Sequence, residues 1–346
     1  MSVHDPIAAR KPRRLGLYLP FVLLLLAALG WTFFWFWMRG EVQKQMDAAV
    51  ADLGRGGYQV SWSARRLGGY PFRMDVSLTD AKVRDPSGWA LQAPVLEGEA
   101  FLYAPGHWML AAPQGLTFVR PVGGAVAVTG KVLHASLTDL AKRPPSFSFQ
   151  GQDMTFLPGV GAEPYALQSA QNVEFHLRAG PDDEGGVFAR VDNGKARLGG
   201  LFGRIAGEKP ISLTWNSTLS KMSAFTSDDW PGAVRRWTEA GGRMTLRQGQ
   251  LTAGDALIES RDGTLSVGRD GRLRGRLAVT LRQAPRALGA MAETGVLPYP
   301  TADAASAVAT ARQQGDTARA TLDFEAGQTT LGPVAIGPAP KVYTPR

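Results

Sequence analysis

Residues 58–79 read Tyr-Gln-Val-Ser-Trp-Ser-Ala-Arg-Arg-Leu-Gly-Gly-Tyr-Pro-Phe-Arg-Met-Asp-Val-Ser-Leu-Thr. Tyr58, Val60, Trp62 and Ala64 alternate with Gln59, Ser61 and Ser63. Past Gly68-Gly69, Phe72, Met74, Val76 and Leu78 alternate with Arg73, Asp75, Ser77 and Thr79. Successive side chains of a strand point to opposite faces, so a period of two gives each segment one buried and one wetted face. Half-wetted strands belong to antiparallel sheets. The stretch therefore predicts two strands joined at a glycine corner, and the rest of the chain repeats the pattern.

Alternation returns at Trp89, Leu91 and Ala93, at Val173, Phe175 and Leu177, and at Ile211, Leu213 and Trp215. It returns again at Ala318, Ala320, Leu322 and Phe324, and around Leu331–Ile336. Asp262-Gly263 and Asp270-Gly271 are hairpin-turn dipeptides. They predict strands near 255–260, 264–268 and 272–282, the last with Leu273, Leu277, Val279 and Leu281 on one face. Helices interrupt twice. Residues 229–240 offer Asp229 as N-cap, Pro231 early and Gly241-Gly242 as a stop. The alanine-rich segment of about 285–315 predicts two helices split by Pro298 and Pro300. The stretch GPDDEGG (180–186) reads equally as a linker or a hairpin loop. The expected fold is mainly β with a few helices: a large curved antiparallel sheet occupying 58–346.

Toward the N-terminus the pattern changes. Leu15–Met38 (LGLYLPFVLLLLAALGWTFFWFWM) carries no charge. A helix of this length, at about 1.5 Å per residue, covers a hydrocarbon core of roughly 30 Å. Pro20 falls in its first turns, and Trp31, Trp35 and Trp37 crowd its far end up to Met38 as an aromatic belt. Residues 1–14 form a basic tail. Arg10, Lys11, Arg13 and Arg14 against Asp5 give it +3, leaving +5 of the net +8 for all other residues. The positive-inside rule then puts the tail in the cytoplasm and the body outside. In a Gram-negative cell that means a single-pass inner-membrane protein with a periplasmic domain. A cleaved signal peptide is the competing reading; the apolar run outlasts an h-region and no small-x-small site follows it. Residues 39–57 predict a juxtamembrane helical stalk, with Val42, Met46, Val50 and Leu53 on one face and Gly54, Gly56 and Gly57 as its end.

Composition narrows the chemistry. The 346 residues are 44% hydrophobic and 20% charged, a globular balance. With no cysteine, disulfides, thiolate metal sites and thiol nucleophiles are excluded. His4, His107, His134 and His176 are too scattered for a local ligand pair. No Gly-x-Ser-x-Gly elbow and no phosphate-binding loop is present. Asp182-Asp183 and Asp228-Asp229 read as a loop and a cap. Arg272, Arg274 and Arg276 share one face of a predicted strand. That face reads as a solvated edge guard or as a contact for anionic lipid headgroups. The excess charge is too mild for a nucleic-acid partner.

The run Arg65-Arg66-Leu67-Gly68-Gly69-Tyr70-Pro71-Phe72-Arg73 is followed by Trp89, Ala93-Pro94 and Tyr103-Ala104-Pro105-Gly106-His107. Leu331-Gly332-Pro333 and Pro338-Ala339-Pro340 close the series. In this order behind an anchor, the chain resembles the bacterial family DUF2125, most closely at Gly69, Tyr70, Pro71, Phe72 and Arg73. The resemblance implies no catalytic residues. In architecture alone the chain also looks like the periplasmic AsmA-like proteins, which pair an anchor helix with long greasy-faced sheets and are linked to lipid movement. The expectation is a non-enzymatic envelope protein, without metal or cofactor, that binds a lipid or another hydrophobic ligand. The alternative is a scaffold for an envelope protein complex.

Overall fold

Leu15–Arg55 is one helix, α1, with no break where the uncharged stretch ends. The computed structural model describes residues 15–140, 142, 144–197, 209–225, 229–253, 256–282, 299–311, 313–314 and 317–343. The basic residues Arg10, Lys11, Arg13 and Arg14 lie outside them. From Tyr18 onward α1 is long and apolar enough to cross a membrane, as an anchor or as a signal sequence. Its most apolar window has a mean hydropathy of 2.1 and is only 6% buried. Beyond residue 40, Val42, Met46 and Val50 turn inward while Gln43, Lys44 and Asp47 stay exposed. The helix closes where the amides of Gly56 and Tyr58 return to the carbonyls of Asp52 and Leu53.

The remainder is mainly antiparallel sheet. Its first strands are β1 (Gln59–Ser61), β2 (Ala64–Gly68), β3 (Arg73–Arg84), β4 (Ala90–Phe101), β5 (Trp108–Ala111) and β6 (Leu116–Arg120). Then come β7 (Gly124–Thr129), β8 (Val132–Thr138), β9 (Ser146–Pro158), β10 (Leu167–Ala179), β11 (Glu184–Ala196) and β12 (Ile211–Ser220). A helix, α2 (Trp230–Glu239), precedes β13 (Met244–Ala253), β14 (Ala256–Val267) and β15 (Leu273–Arg282). Another, α3 (Tyr299–Ala311), precedes β16 (Gln313–Gln314), β17 (Thr317–Glu325), β18 (Gln328–Leu331) and β19 (Val334–Pro338).

From β9 to β15 each strand pairs with the next in sequence. β15 then takes β17, which continues through β18 to β19. Nearer the N-terminus the sheet is patched from short pieces. One edge of β4 carries β5 and β6 end to end, and one edge of β9 carries β8 and β7. The β5–β8 and β6–β7 pairs close the space between them. β1 and β2 lie end to end along the outer edge of β3. Register shifts in β10, β11, β13 and β14 bend and twist the ladder locally.

Burial follows the period-two reading along most strands. Leu277 and Val279 are core residues with Leu273 and Leu281 packed beside them, joined by Leu246, Leu265, Ala320, Phe324 and Leu331. α2 has the anticipated ends: the Asp229 carboxylate accepts the Gly232 amide at 2.8 Å, and Pro231 sits in the first turn. Residues 180–183 form the loop of the β10–β11 hairpin, with Asp182 and Asp183 both at positive φ. Of the two helices expected over 285–315, one is seen at Tyr299–Ala311; residues 283–298 fall outside the described set.

Three sequence expectations are corrected. The strand expected over 58–64 breaks at Trp62-Ser63, and its phase flips. Ala64 is exposed, and Arg65 takes the inner side, where it meets Asp47 of α1 at 2.7 Å. On β4, Trp89 and Leu91 stand out into solvent, while Ala90 and Ala93 are buried. Residues 89–93 lie beyond the break in the ladder at Asp80, whose φ is 50°, and burial there does not follow a period of two. Asp262-Gly263 is not a turn: it lies inside β14, just past a bulge, with Gly263 opposite Leu246 and Leu277. A Cβ at Gly263 would come within 2.3 Å of the Leu277 side chain and 2.7 Å of the Arg276 carbonyl. The glycine serves close cross-strand packing, and only Asp270-Gly271 makes a hairpin turn.

Candidate functional site

The inner residues of β3 and β4 are Met74, Val76 and Leu78 opposite Ala100, Gly98 and Leu96. β5 adds Trp108 and Leu110, and β8 adds Leu137. α1 runs across this surface, presenting Trp37, Met38, Val42, Met46 and Ala49. Helix and sheet do not close completely on each other. Between them lies a groove of about 920 Å³, lined by these side chains with Phe101, Leu102, Pro105 and Leu140. Glu41 is the one charged side chain on its wall. The opposite face of the same strands carries charge: Asp75, Ser77, Glu97 and Glu99 line a smaller recess of about 510 Å³ with Arg66, Arg73 and His134. Alternation over 73–79 of β3 and 95–101 of β4 thus separates a greasy face under α1 from a charged face turned away.

The groove is held at one end by the corner between β2 and β3. Here Gly69, Tyr70, Pro71, Phe72 and Arg73 form a turn with a cis Tyr70–Pro71 bond, and the Arg73 amide donates to the Gly69 carbonyl at 2.9 Å. The turn docks on α1. The indole N–H of Trp31 donates to the Pro71 carbonyl at 2.8 Å, and that of Trp35 to the Arg73 carbonyl at 2.9 Å. Thr32 already spends its hydroxyl proton on the Ala28 carbonyl, so the Tyr70 hydroxyl is the donor in their 2.8 Å contact. Trp35 meets the Tyr70 ring edge-on, and Trp31 tilts over Phe72. Trp35 is 4% exposed and clusters with Met74, Leu102, Met38, Val42, Leu67 and Trp108.

The three tryptophans read from sequence as one belt therefore have different surroundings. Trp35 is a core residue joining helix to sheet, Trp31 is half-covered by the turn, and Trp37 is exposed at the groove wall. Trp108 and Phe101 line the groove, whereas Phe72 and Trp89, which the alternation places inward, are exposed.

Gly69 is fixed by geometry. Its φ is 96°, and a Cβ there would lie 2.7 Å from the Arg73 carbonyl oxygen. Gly69→Ala is expected to cost more than about 1 kcal/mol, since the left-handed backbone strain adds to the clash. A lowered urea midpoint with an unchanged slope would register it; wild-type stability would contradict it.

Of the arginines read as one face, Arg274 and Arg276 share the exposed side of β15, and Arg272 does not. Arg272 lies outside the strand and donates to the Ala339 carbonyl at 2.7 Å, tying down the C-terminal segment. Arg276 binds Asp323 at 2.7 Å, and this hydrogen bond, followed by the carboxylate's charge, raises its pKa above the ordinary value. Arg274 is exposed beside Asp270. The partners on β17 and in the C-terminal segment come from distant sequence, so the arginine spacing alone did not disclose them.

The groove itself was missed by the sequence reading. Its signal was present in two halves, the Val42–Met46 spacing and the Met74–Leu78 alternation, but nothing local says that they face each other. Among the described residues, no cluster of three or more histidine or acidic side chains is placed to hold a metal ion. Searches of curated proteins and of solved structures return no match. A family model matches residues 35–340, the whole of the sheet and the far end of α1. The chain belongs to the family described as uncharacterized protein conserved in bacteria (DUF2125).

Proposed function

We propose that α1 anchors the chain in the inner membrane, with the sheet on the periplasmic side, and that the groove under α1 holds a lipid acyl chain or a similar hydrophobic ligand. The observation that carries this reading is the groove's position. About 920 Å³ of mostly apolar space adjoins the exposed apolar helix, with Trp37 and Met38 on its wall. Ligand sites are typically concave, mostly apolar and of this size. An acyl chain leaving a bilayer beside α1 would pass from one apolar surroundings to another, which keeps the transfer inexpensive. The reading gives the protein a binding role in envelope maintenance and assigns it no reaction.

A photoreactive residue in the full chain tests it. With the probe at Leu137, inside the groove, irradiation in native membranes should yield lipid adducts detectable by mass spectrometry. The same probe at Glu97, on the charged face, should yield none. Adducts at Leu137 made only with protein would overturn the lipid reading in favour of the scaffold alternative.

A further inference from the structure

Resting on the anchor reading above, we infer that the body does not stand clear of the bilayer but is seated in it, through an aromatic lip formed by Tyr70, Phe72, Phe101 and Tyr103. The argument begins with depth along α1. A hydrocarbon core of about 30 Å entered at Leu15 is crossed in about twenty residues, so its far boundary falls near Trp35. The β2–β3 corner is hydrogen-bonded to Trp31, Thr32 and Trp35. It is therefore held at the boundary itself, not beyond it.

The side chains at that level suit the place. Tyr70 is 55% exposed, Phe72 63% and Tyr103 76%, and Phe101 stacks on Tyr103 with ring centroids 5.0 Å apart. Four aromatic rings left open together would be a costly surface in water. Amphipathic rings at a headgroup boundary are stable there. The next layer out is cationic. Arg39, four residues or about 6 Å past Trp35, borders a recess of about 670 Å³ with Arg66, Gln43 and Trp62. That is the depth of the phosphate layer. Apolar helix, aromatic lip and arginines thus follow one another in the order of a bilayer surface. The groove opens at the same level, since Phe101 lies both on the lip and on the groove wall. A lipid could enter sideways without crossing water.

Because the chain has no cysteine, single-cysteine variants of the full protein can each carry one fluorophore. In nanodiscs whose lipids bear nitroxides near the headgroup, Tyr103→Cys and Phe72→Cys should be quenched several-fold. Val122→Cys should not be. Val122 is 81% exposed and apolar too, but it follows β6, which pairs with the Ala90 end of β4. That end lies about 35 Å along the strand from Phe101. Leu24→Cys, which the same arithmetic puts at mid-bilayer, reports the anchor in nanodiscs whose nitroxides sit deep in the acyl chains. Quenching at Leu24 but at neither Tyr103 nor Phe72 would overturn the seating and leave the anchor standing. No quenching at Leu24 would overturn the anchor and the seating with it. Quenching at Val122 equal to that at Tyr103 would mean general adhesion and would also overturn the seating.

Discussion

Trp35→Ala should cost roughly 3–5 kcal/mol, the usual loss when a buried tryptophan is truncated. Two terms add here. The indole is 4% exposed against Met74 and Leu102, so its removal opens a cavity between α1 and β3. It also deprives the Arg73 carbonyl of its donor. Trp35→Phe separates the terms: the ring face is retained, and the missing donor costs about 1–3 kcal/mol. Trp37→Ala, two residues on, removes an indole that is 55% exposed and should change fold stability by less than about 0.5 kcal/mol. The measurement is urea unfolding of the full chain in mild detergent. Equal effects at Trp35 and Trp37 would refute the distinction between a core tryptophan and a boundary tryptophan.

Trp237→Ala should be of similar size at the other end of the molecule. Trp237 lies on the buried face of α2, 4% exposed, stacked on Phe225 and packed among Val234, Val267 and Tyr343. Its indole N–H donates to the Ser220 carbonyl at 2.6 Å, fastening α2 to the end of β12. Losing it should cost roughly 3–5 kcal/mol. It should also loosen the C-terminal segment, because Tyr343 packs on the same cluster. Limited proteolysis should then cut after Lys341 or Arg269 sooner than in wild type, while Trp35→Ala should leave those sites protected. Unchanged proteolysis in Trp237→Ala would mean that the C-terminal segment is held without the Trp237 cluster, by bonds such as those from Arg272 to the Ala339 carbonyl and from the Val342 amide to the Gly271 carbonyl.

Much of this architecture is visible in the sequence because the physics is local. Period-two alternation fixes which side of β3, β15 and β17 is buried. Asp229, Pro231 and Gly241-Gly242 delimit α2 within a residue or two. The failures are equally specific. Ala64 was assigned inward because nothing in Trp62-Ser63-Ala64 shows that the edge strand breaks there. Trp89 and Leu91 read as inward by alternation, but they sit at the Ala90 end of β4, where only the small Ala90 and Ala93 are covered. Gly263 reads as a turn residue because Asp-Gly serves either purpose, and the deciding neighbour, Leu277, is known only once the strands are paired. The groove belongs to the same class. Each wall has a clear pattern, but that the walls face each other is a tertiary fact, set by Trp31 and Trp35 binding the corner at 70–73.

The order of strands has a consequence for how the molecule comes into being. From β9 to β15 every strand adds to the edge left by its predecessor. The contacts that fasten the first corner to α1 span only about forty residues. No early strand waits for a late one, apart from the short cross-pairs around β5–β9. Loop-closure entropy is thus spent in small steps, which favours rapid assembly for an all-β body of this size. The growing edge is covered by the next segment as that segment is made. A chain made from its N-terminus onward can fold like knitting, one row cast onto the last, with its first row tied to α1.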